Sequence, residues 1–455
     1  MRSLIRPTAL FAVTALLAVA CTGGGSATST PPASTPAATS APSESANPST
    51  SAEPVTLTYF TFSAAPDHLA DLDAMVAAFE AQNPSIKIEV QTAAYADYFT
   101  KLQTQVAGGT APDTFELNYE NFVSYASSGT LLDLSAPAAA DATFDASIYY
   151  PKAYGVFQRD GVQYGLPASF SNVVLLYNKD LFDAAGEAYP SVDWTWKDEL
   201  AAATKLTDKA AGTWGTFQPI QFFEFYKVLA QSGGSFFSAD GKTVTFNDAK
   251  GLEAANWLLD KVGTASPDNA FGPDEDTALF KAGKLAMWHT GIWQFSGLKD
   301  ASFAWDIQVE PGNVQKAHQF FANAAVASST TEYPAEAWAW LRFLTSSPEA
   351  VKIRLDASWE LPAVADQSLF GAYLSQTPPD NREAVFQALD DIVVPPVIEQ
   401  QSQMQDIVSK ALESARLGQV SAQEALDATA EAWERITDEI GRDSQIELYQ
   451  AALGG

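Results

Sequence analysis

An α/β fold is predicted, with a mostly parallel sheet in its opening, because two-residue and 3.6-residue apolar periods alternate from Val55 onward. Val55 to Phe60 (VTLTYF) reads as a strand. Leu69, Leu72, Met75, Val76 and Phe79 then form one helical stripe. Ile86, Ile88 and Val90 alternate with Lys87 and Glu89, a second strand.

Each later element follows from the same reasoning. Asn83-Pro84 stops the first helix. Tyr95, Tyr98, Phe99, Leu102 and Val106 make a second stripe, closed by Gly108-Gly109. Phe115 and Leu117 lie on a short strand, and a short helix runs from Asn121 to Ser128. Gly161 to Pro167 is a turn-rich hairpin, and Val173 to Tyr177 is a buried strand. Helices are expected from Thr195 through Ala203, Phe222 to Leu229, Lys250 to Val262, Asp276 to Lys281 and Pro334 to Thr345. Leu285 to Trp288 reads as a strand. The tail from Met404 to Ile440 is helical, broken near Gly418. In such sheets ligands sit outside the carboxyl ends of strands, here Phe60 to Ser63 and Asn118-Tyr119-Glu120.

The N-terminus carries a different signal. Arg2 and Arg6 precede an apolar run from Thr8 to Ala20, the layout of a secretory leader and too short for a comfortable spanning helix. Cys21, the chain's one cysteine, follows directly. The site resembles the bacterial lipobox, with Leu17 rather than Ala18 as its leucine. That resemblance implies cleavage after residue 20 and a diacylglyceryl thioether on Cys21, which anchors a soluble domain to a membrane. Residues 22–54 are almost wholly Gly, Ser, Thr, Ala and Pro. They lack the apolar surface to offset chain entropy and form a disordered tether or a sugar-decorated stalk. With its thiol lipidated, the chain has no disulfide available.

A net charge of −29 disfavours binding to phosphate backbones, so no nucleic-acid partner is expected. His68, His289 and His318 lack ligand spacing, and no HExxH, CxxC, GxSxG, P-loop or calcium-loop motif occurs. No cofactor, metal or catalytic residue is expected. Aromatic residues make up 12% of the chain, and several fall in predicted loops rather than in core periodicity.

Five local patterns then coincide in order. They are Phe79 to Pro84 with Ile86-Lys87-Ile88; Gly108 to Asp113; Tyr164 to Pro167 followed by Tyr177 to Phe182; Phe280 to Met287 with Gly291 and Trp293; and Ala337-Trp338 with Phe343 to Glu349. Together they resemble the extracellular solute-binding proteins of ATP-binding cassette importers, within the sugar-binding family that includes maltodextrin receptors. The stretch Gln319 to Thr331 departs from that family's glycine-rich pattern.

The resemblance implies a two-lobed periplasmic-binding-protein-like fold with hinge crossings and a central ligand cleft. Lobe one is expected at 55–167 plus 319–392, and lobe two at 168–318 plus 393–455. The crossings are expected near Pro167–Asn172, His318–Asn323 and Ile392–Pro396. A sugar has apolar C–H faces and a hydroxyl rim, so its site needs flat aromatic rings with carboxylates and amides aimed inward.

By resemblance, Asn118, Tyr119 and Glu120 reach the cleft, with Glu120 gripping sugar hydroxyls; an ordinary N-terminal helix acid is the alternative. Phe62 and Ser63 follow the first strand at the cleft edge, with core packing open for Phe62. Phe170, Ser171 and Asn172 sit at a crossing. Trp293, two residues after Gly291, matches a stacking tryptophan, and Trp359-Glu360 precedes a turn near the ligand. Trp288, Trp338 and Trp340 read as core.

The expected function is capture of a mono- or oligosaccharide by hinge closure, not catalysis. The receptor is expected to be a monomer, lipid-anchored on the outer face of the cell membrane and serving ABC permease subunits. The same fold binding a polyol, a glycerol-phosphate ester or a compatible solute is the alternative. A secreted glycosidase and a surface adhesin are further ones.

Overall fold

The computed structural model describes residues 54–64, 68–268, 275–396 and 398–442. The leader, Cys21 and the tether up to residue 53 lie outside the described residues. Among the described residues ten strands are present: β1 (Val55–Thr61), β2 (Ile86–Thr92), β3 (Thr114–Asn118), β4 (Gln158–Arg159), β5 (Val162–Gln163), β6 (Gly165–Asn178), β7 (Met287–Gly291), β8 (Trp305–Gln308), β9 (His318–Ala327) and β10 (Ile392–Val393).

The larger sheet runs β2-β1-β3-β9-β6-β7, with β10 beside β9 and β8 beside β6. Its first three strands are parallel, as expected from the βαβα opening. From β3 onward the path is antiparallel: β9 pairs with β3 and β6, and β6 pairs with β7 and β8. The mostly parallel sheet expected of the opening is found there, and the later strands add antiparallel pairs. The βαβα alternation covers only that opening; β9 runs antiparallel to both β3 and β6, although helices separate it from each in sequence.

β6 is the element the sequence understated. All fourteen of its residues are buried, so it shows no inside–outside alternation, and only its Val173–Tyr177 core reads as a strand. Gly165 to Asn172 pair with β9, and Val173 to Tyr177 pair with β7. One strand thus changes partners between Asn172 and Val173 and joins the two lobes.

On the first lobe, β1 alternates between two cores, as a pleated strand must. Leu57 and Tyr59 pack with Leu72, Met75, Phe79 and Trp340. Phe60 packs on the other face with Tyr98, Leu102 and Phe115. The helix Pro334–Ser346 closes the first of these layers through Trp338, Trp340 and Leu341. In the second lobe, the helix Phe222–Gln231 buries Phe222, Phe225, Tyr226 and Leu229. These pack with Phe236, Phe246 and Trp433 from the C-terminal helix Ala422–Ile440. The two tail helices are separated where Gly418 takes φ +67°, the left-handed value that only glycine adopts at little cost.

Residues 381–388 already lie against the second lobe. Asn381 N–H donates to Asp306 (2.9 Å), its amide to Ile307 O (3.1 Å), and Asn172 Nδ2 to Val385 O (2.7 Å).

Candidate functional site

The cleft is built where strands end and change partners. It has a volume of about 500 Å³. Phe62 and Ser63 follow the carboxyl end of β1, and Asn118 ends β3. Ser171 and Val173 of β6 and Gln319, Phe321 and Asn323 of β9 lie at the joint between lobes. The second lobe adds Pro219, Gln221, Phe223 and Glu224 around the start of the helix Phe222–Gln231, and Asp276 and Thr277 from the helix Glu275–Lys281. His289 and Thr290 come from β7, and Trp293 and Gln294 from the turn after it.

Aromatic rings face the cleft from both sides. Phe62 meets Tyr95 edge-on (5.3 Å, 79°), and Tyr95 is half exposed. Across the cleft, Trp293 meets Phe321 at 5.8 Å and 67°, and Phe321 meets Phe223 at 5.4 Å and 73°. Trp293 is 39% exposed, a large apolar ring left available on one face. Gly291 does not line the cleft, but it makes room for that ring: a Cβ at this position would stand 1.8 Å from the Trp293 indole.

Polar groups between these rings are mostly held by neighbours. Asn118 caps the helix Tyr119–Ser127 by accepting from Asn121 N–H (3.2 Å), and its amide donates to the Tyr95 hydroxyl (3.1 Å). Glu360 accepts from Ser169 Oγ (2.5 Å) and Asn323 Nδ2 (2.9 Å). Gln294 donates to Thr277 (3.2 Å). Glu120, in the first turn of its helix, is 4% exposed. Burial pushes its carboxyl up to about 7.

Beneath the second-lobe wall lies a buried ionic network. Lys227 binds Glu224 (2.6 Å) and Glu310, and His289 bridges Glu310 (2.6 Å) and Glu199 (3.0 Å). Lys261 lies 3.7 Å from Glu199 and donates to Gln218 (2.7 Å), which donates to Glu224 (2.7 Å). Burial opposes every charge here, yet the pairing outweighs it for most members. Glu199 and Glu310 are held at about 2 by His289 with Lys261 and by Lys227 with His289, respectively. His289 is raised by the same two acids. Burial wins at Lys261, which falls to about 8. Three carboxylates thus face two ammonium groups and one imidazole. Glu224, His289 and Glu310 converge closely enough to suggest a metal site, but the Lys227 ammonium already bridges both carboxylates.

Of the residues expected at the site, Phe62, Ser63, Asn118, Glu120, Ser171, Trp293 and Glu360 line the cleft. Tyr119 does not: it is buried in the hydrophobic core that includes Phe115, Leu117 and Phe122. Asn172 turns its amide away to Val385. Trp359 is also misread. It is 3% exposed, stacked on His68 (4.8 Å, 7°) and covered by the Arg354 guanidinium at 4.1 Å. Its neighbour Glu360 faces the cleft instead, because adjacent residues of an extended segment point to opposite sides. Tyr95, Gln221, Phe223, Glu224, His289, Gln319 and Phe321 were not singled out. The aromatic density of Phe222 to Tyr226 was the one signal of them in the sequence.

A family model described as bacterial extracellular solute-binding protein matches residues 65–351. An ABC substrate-binding protein from Listeria monocytogenes, solved in complex with cycloalternan, is 46% identical and superposes with a TM-score of 0.81 over 86% of this chain and 100% of that one. The maltodextrin-binding protein of Bacillus subtilis is 24% identical over 313 residues, 67% of this chain and 72% of its own length. An ABC transporter solute-binding protein from Thermotoga lettingae, bound with alpha-D-tagatose, shares the fold at 22% identity (TM-score 0.75, 84% of this chain and 99% of that one).

Proposed function

This chain belongs to the bacterial extracellular solute-binding proteins, and from that premise we propose that it captures an oligosaccharide outside the cytoplasm for an ABC importer. One observation carries the reading. Exposed aromatic faces on both lobes enclose carboxylate and amide groups, and among the described residues no Lys or Arg lines the cleft. Such a surface matches the apolar faces and hydroxyl rim of an uncharged sugar. Cycloalternan is the first ligand to test, because it is bound by the protein that is 46% identical.

The mechanism is capture by closure. The proposed lobes are 55–167 with 319–392 and 168–318 with 393–455, with the third crossing near Ile392–Pro396, and residues 381–388 of the first lobe pack on β6 and β8. Glu120 and Phe62 from one lobe and Trp293 from the other contact the ligand together only when the lobes approach, so the sugar favours the closed state by those differential contacts. No bond is broken in this scheme. The remaining parts are a leader removed before Cys21, a lipid on that thiol, a tether over 22–54, a monomeric receptor and permease subunits that receive the loaded form.

Titration calorimetry with cycloalternan and maltotetraose tests the proposal, with the sugar recovered afterwards and analysed by chromatography. Saturable one-to-one binding with intact sugar supports it. Absence of heat with both sugars, or shortened products, overturns it.

A further inference from the structure

We propose that the cleft prefers a carbohydrate bearing a protonated amine over its neutral counterpart and rejects one bearing a carboxylate, with Glu120 as the counter-ion. This rests on the sugar-receptor reading and narrows its ligand class.

Among the described residues four carboxylates line the cleft, Glu120, Glu224, Asp276 and Glu360, and no Lys or Arg side chain does. Three of the four are engaged within the protein. Glu224 is bound by Lys227 and Gln218, Glu360 by Ser169 and Asn323, and Asp276 by the Trp288 indole N–H (3.2 Å). His289, the cleft's one imidazole, is spent between Glu199 and Glu310. Glu120 differs. It is 96% removed from solvent, it faces the cleft, and no side chain among the described residues donates to its carboxylate. Two phenols close enough to feel its charge, Tyr119 and Tyr226, have no hydrogen-bond partner for their hydroxyls among the described residues.

The fold therefore already bears the cost of desolvating this acid without a compensating charge. An incoming ammonium encounters a carboxylate largely shielded from bulk water, bonded among the described residues only by its own backbone N–H, and an N⁺–H donor bonds it more strongly than a hydroxyl does. An incoming carboxylate meets four acids and no free cation, so like-charge repulsion excludes it. The elevated proton affinity of Glu120 adds a pH signature. Above about pH 7 the acid is ionised and holds an ammonium; below it, the acid is protonated and the advantage fades. The other ionisable groups at the cleft are Glu224, Asp276, His289 and Glu360, already held by the partners named above, and the Tyr95 phenol, which burial of its hydroxyl and the Glu120 charge keep protonated.

The test uses three versions of maltotetraose: unmodified, carrying a terminal 6-amino group that stays protonated at pH 8, and oxidised to the terminal uronate. Each is titrated into the protein. The expected result near pH 8 is about tenfold tighter binding of the amine form than of the neutral form, and about tenfold weaker binding of the uronate. Near pH 5.5 the amine advantage should shrink below about threefold. In Glu120→Gln the amine-to-neutral ratio should fall to a similar level, whatever happens to either affinity alone. A ratio of one or less for the parent, with neutral sugar bound, overturns the inference, as does an undiminished ratio in Glu120→Gln. If no version binds, the sugar-receptor reading falls and takes this inference with it.

Discussion

Glu120→Gln should make the ligand-free protein more stable, and more so as pH rises. In the folded state burial holds this carboxyl at about 7, against an ordinary value of 4.5. Below the lower value both folded and unfolded chains hold the proton, and the acid costs folding nothing. As pH rises the unfolded chain ionises first, so the folded state loses ground until its own acid ionises near pH 7. The difference, at about 1.4 kcal/mol per pH unit, comes to about 3 kcal/mol, fully present at pH 8 and absent near pH 4. Gln keeps the shape and removes the charge. For a domain of this size about 3 kcal/mol corresponds to a rise of roughly 4 °C in melting temperature. The assay is differential scanning calorimetry of parent and variant from pH 4 to pH 8, without sugar. Taking the difference between the two proteins cancels His289 and the rest of the ionic network. A melting-temperature gap that is flat across this range, or one that favours the parent at pH 8, would refute a desolvated, unpaired carboxylate at residue 120.

Other perturbations separate the cleft from the core. Trp293→Ala should weaken sugar binding roughly ten- to a hundredfold by calorimetry while leaving the melting temperature within about 1 °C, because one face of the indole is already exposed. Gly291→Ala should weaken sugar binding in the same direction, since its Cβ displaces that ring. Trp359→Ala should instead cost about 3–5 kcal/mol of stability by urea unfolding, as expected for a ring packed between His68 and Arg354. Lys227→Met should cost a similar 3–5 kcal/mol, because it strands Glu224 and Glu310 in the interior, and adding Glu310→Gln should restore part of the loss.

Much of the fold was legible because burial on one face writes a period into the sequence. The stripe Leu72, Met75, Phe79 and the alternation Ile86, Ile88 describe elements with one wet side, and they appear where expected. β6 and β9 are buried nearly throughout, so they write no period. Gln319 to Ala327 accordingly read as a departure from a family pattern rather than as a strand. The same logic governs the site. Ser63 and Glu120 were reachable because strand ends mark the cleft edge, and Glu360 only through the family resemblance. Gln221, Phe223 and Glu224 were not, since nothing local distinguishes an aromatic helix start facing a cleft from one facing a core. Trp359 shows the reverse error, a large ring beside a turn that packs inward while its neighbour Glu360 faces out.

The most direct test of the central claim is small-angle scattering of the protein during titration with cycloalternan. The account predicts a saturable decrease in radius of gyration that tracks the calorimetric binding curve and is lost in Trp293→Ala at the same sugar concentration. Saturable binding with an unchanged radius of gyration would contradict capture by closure of two lobes.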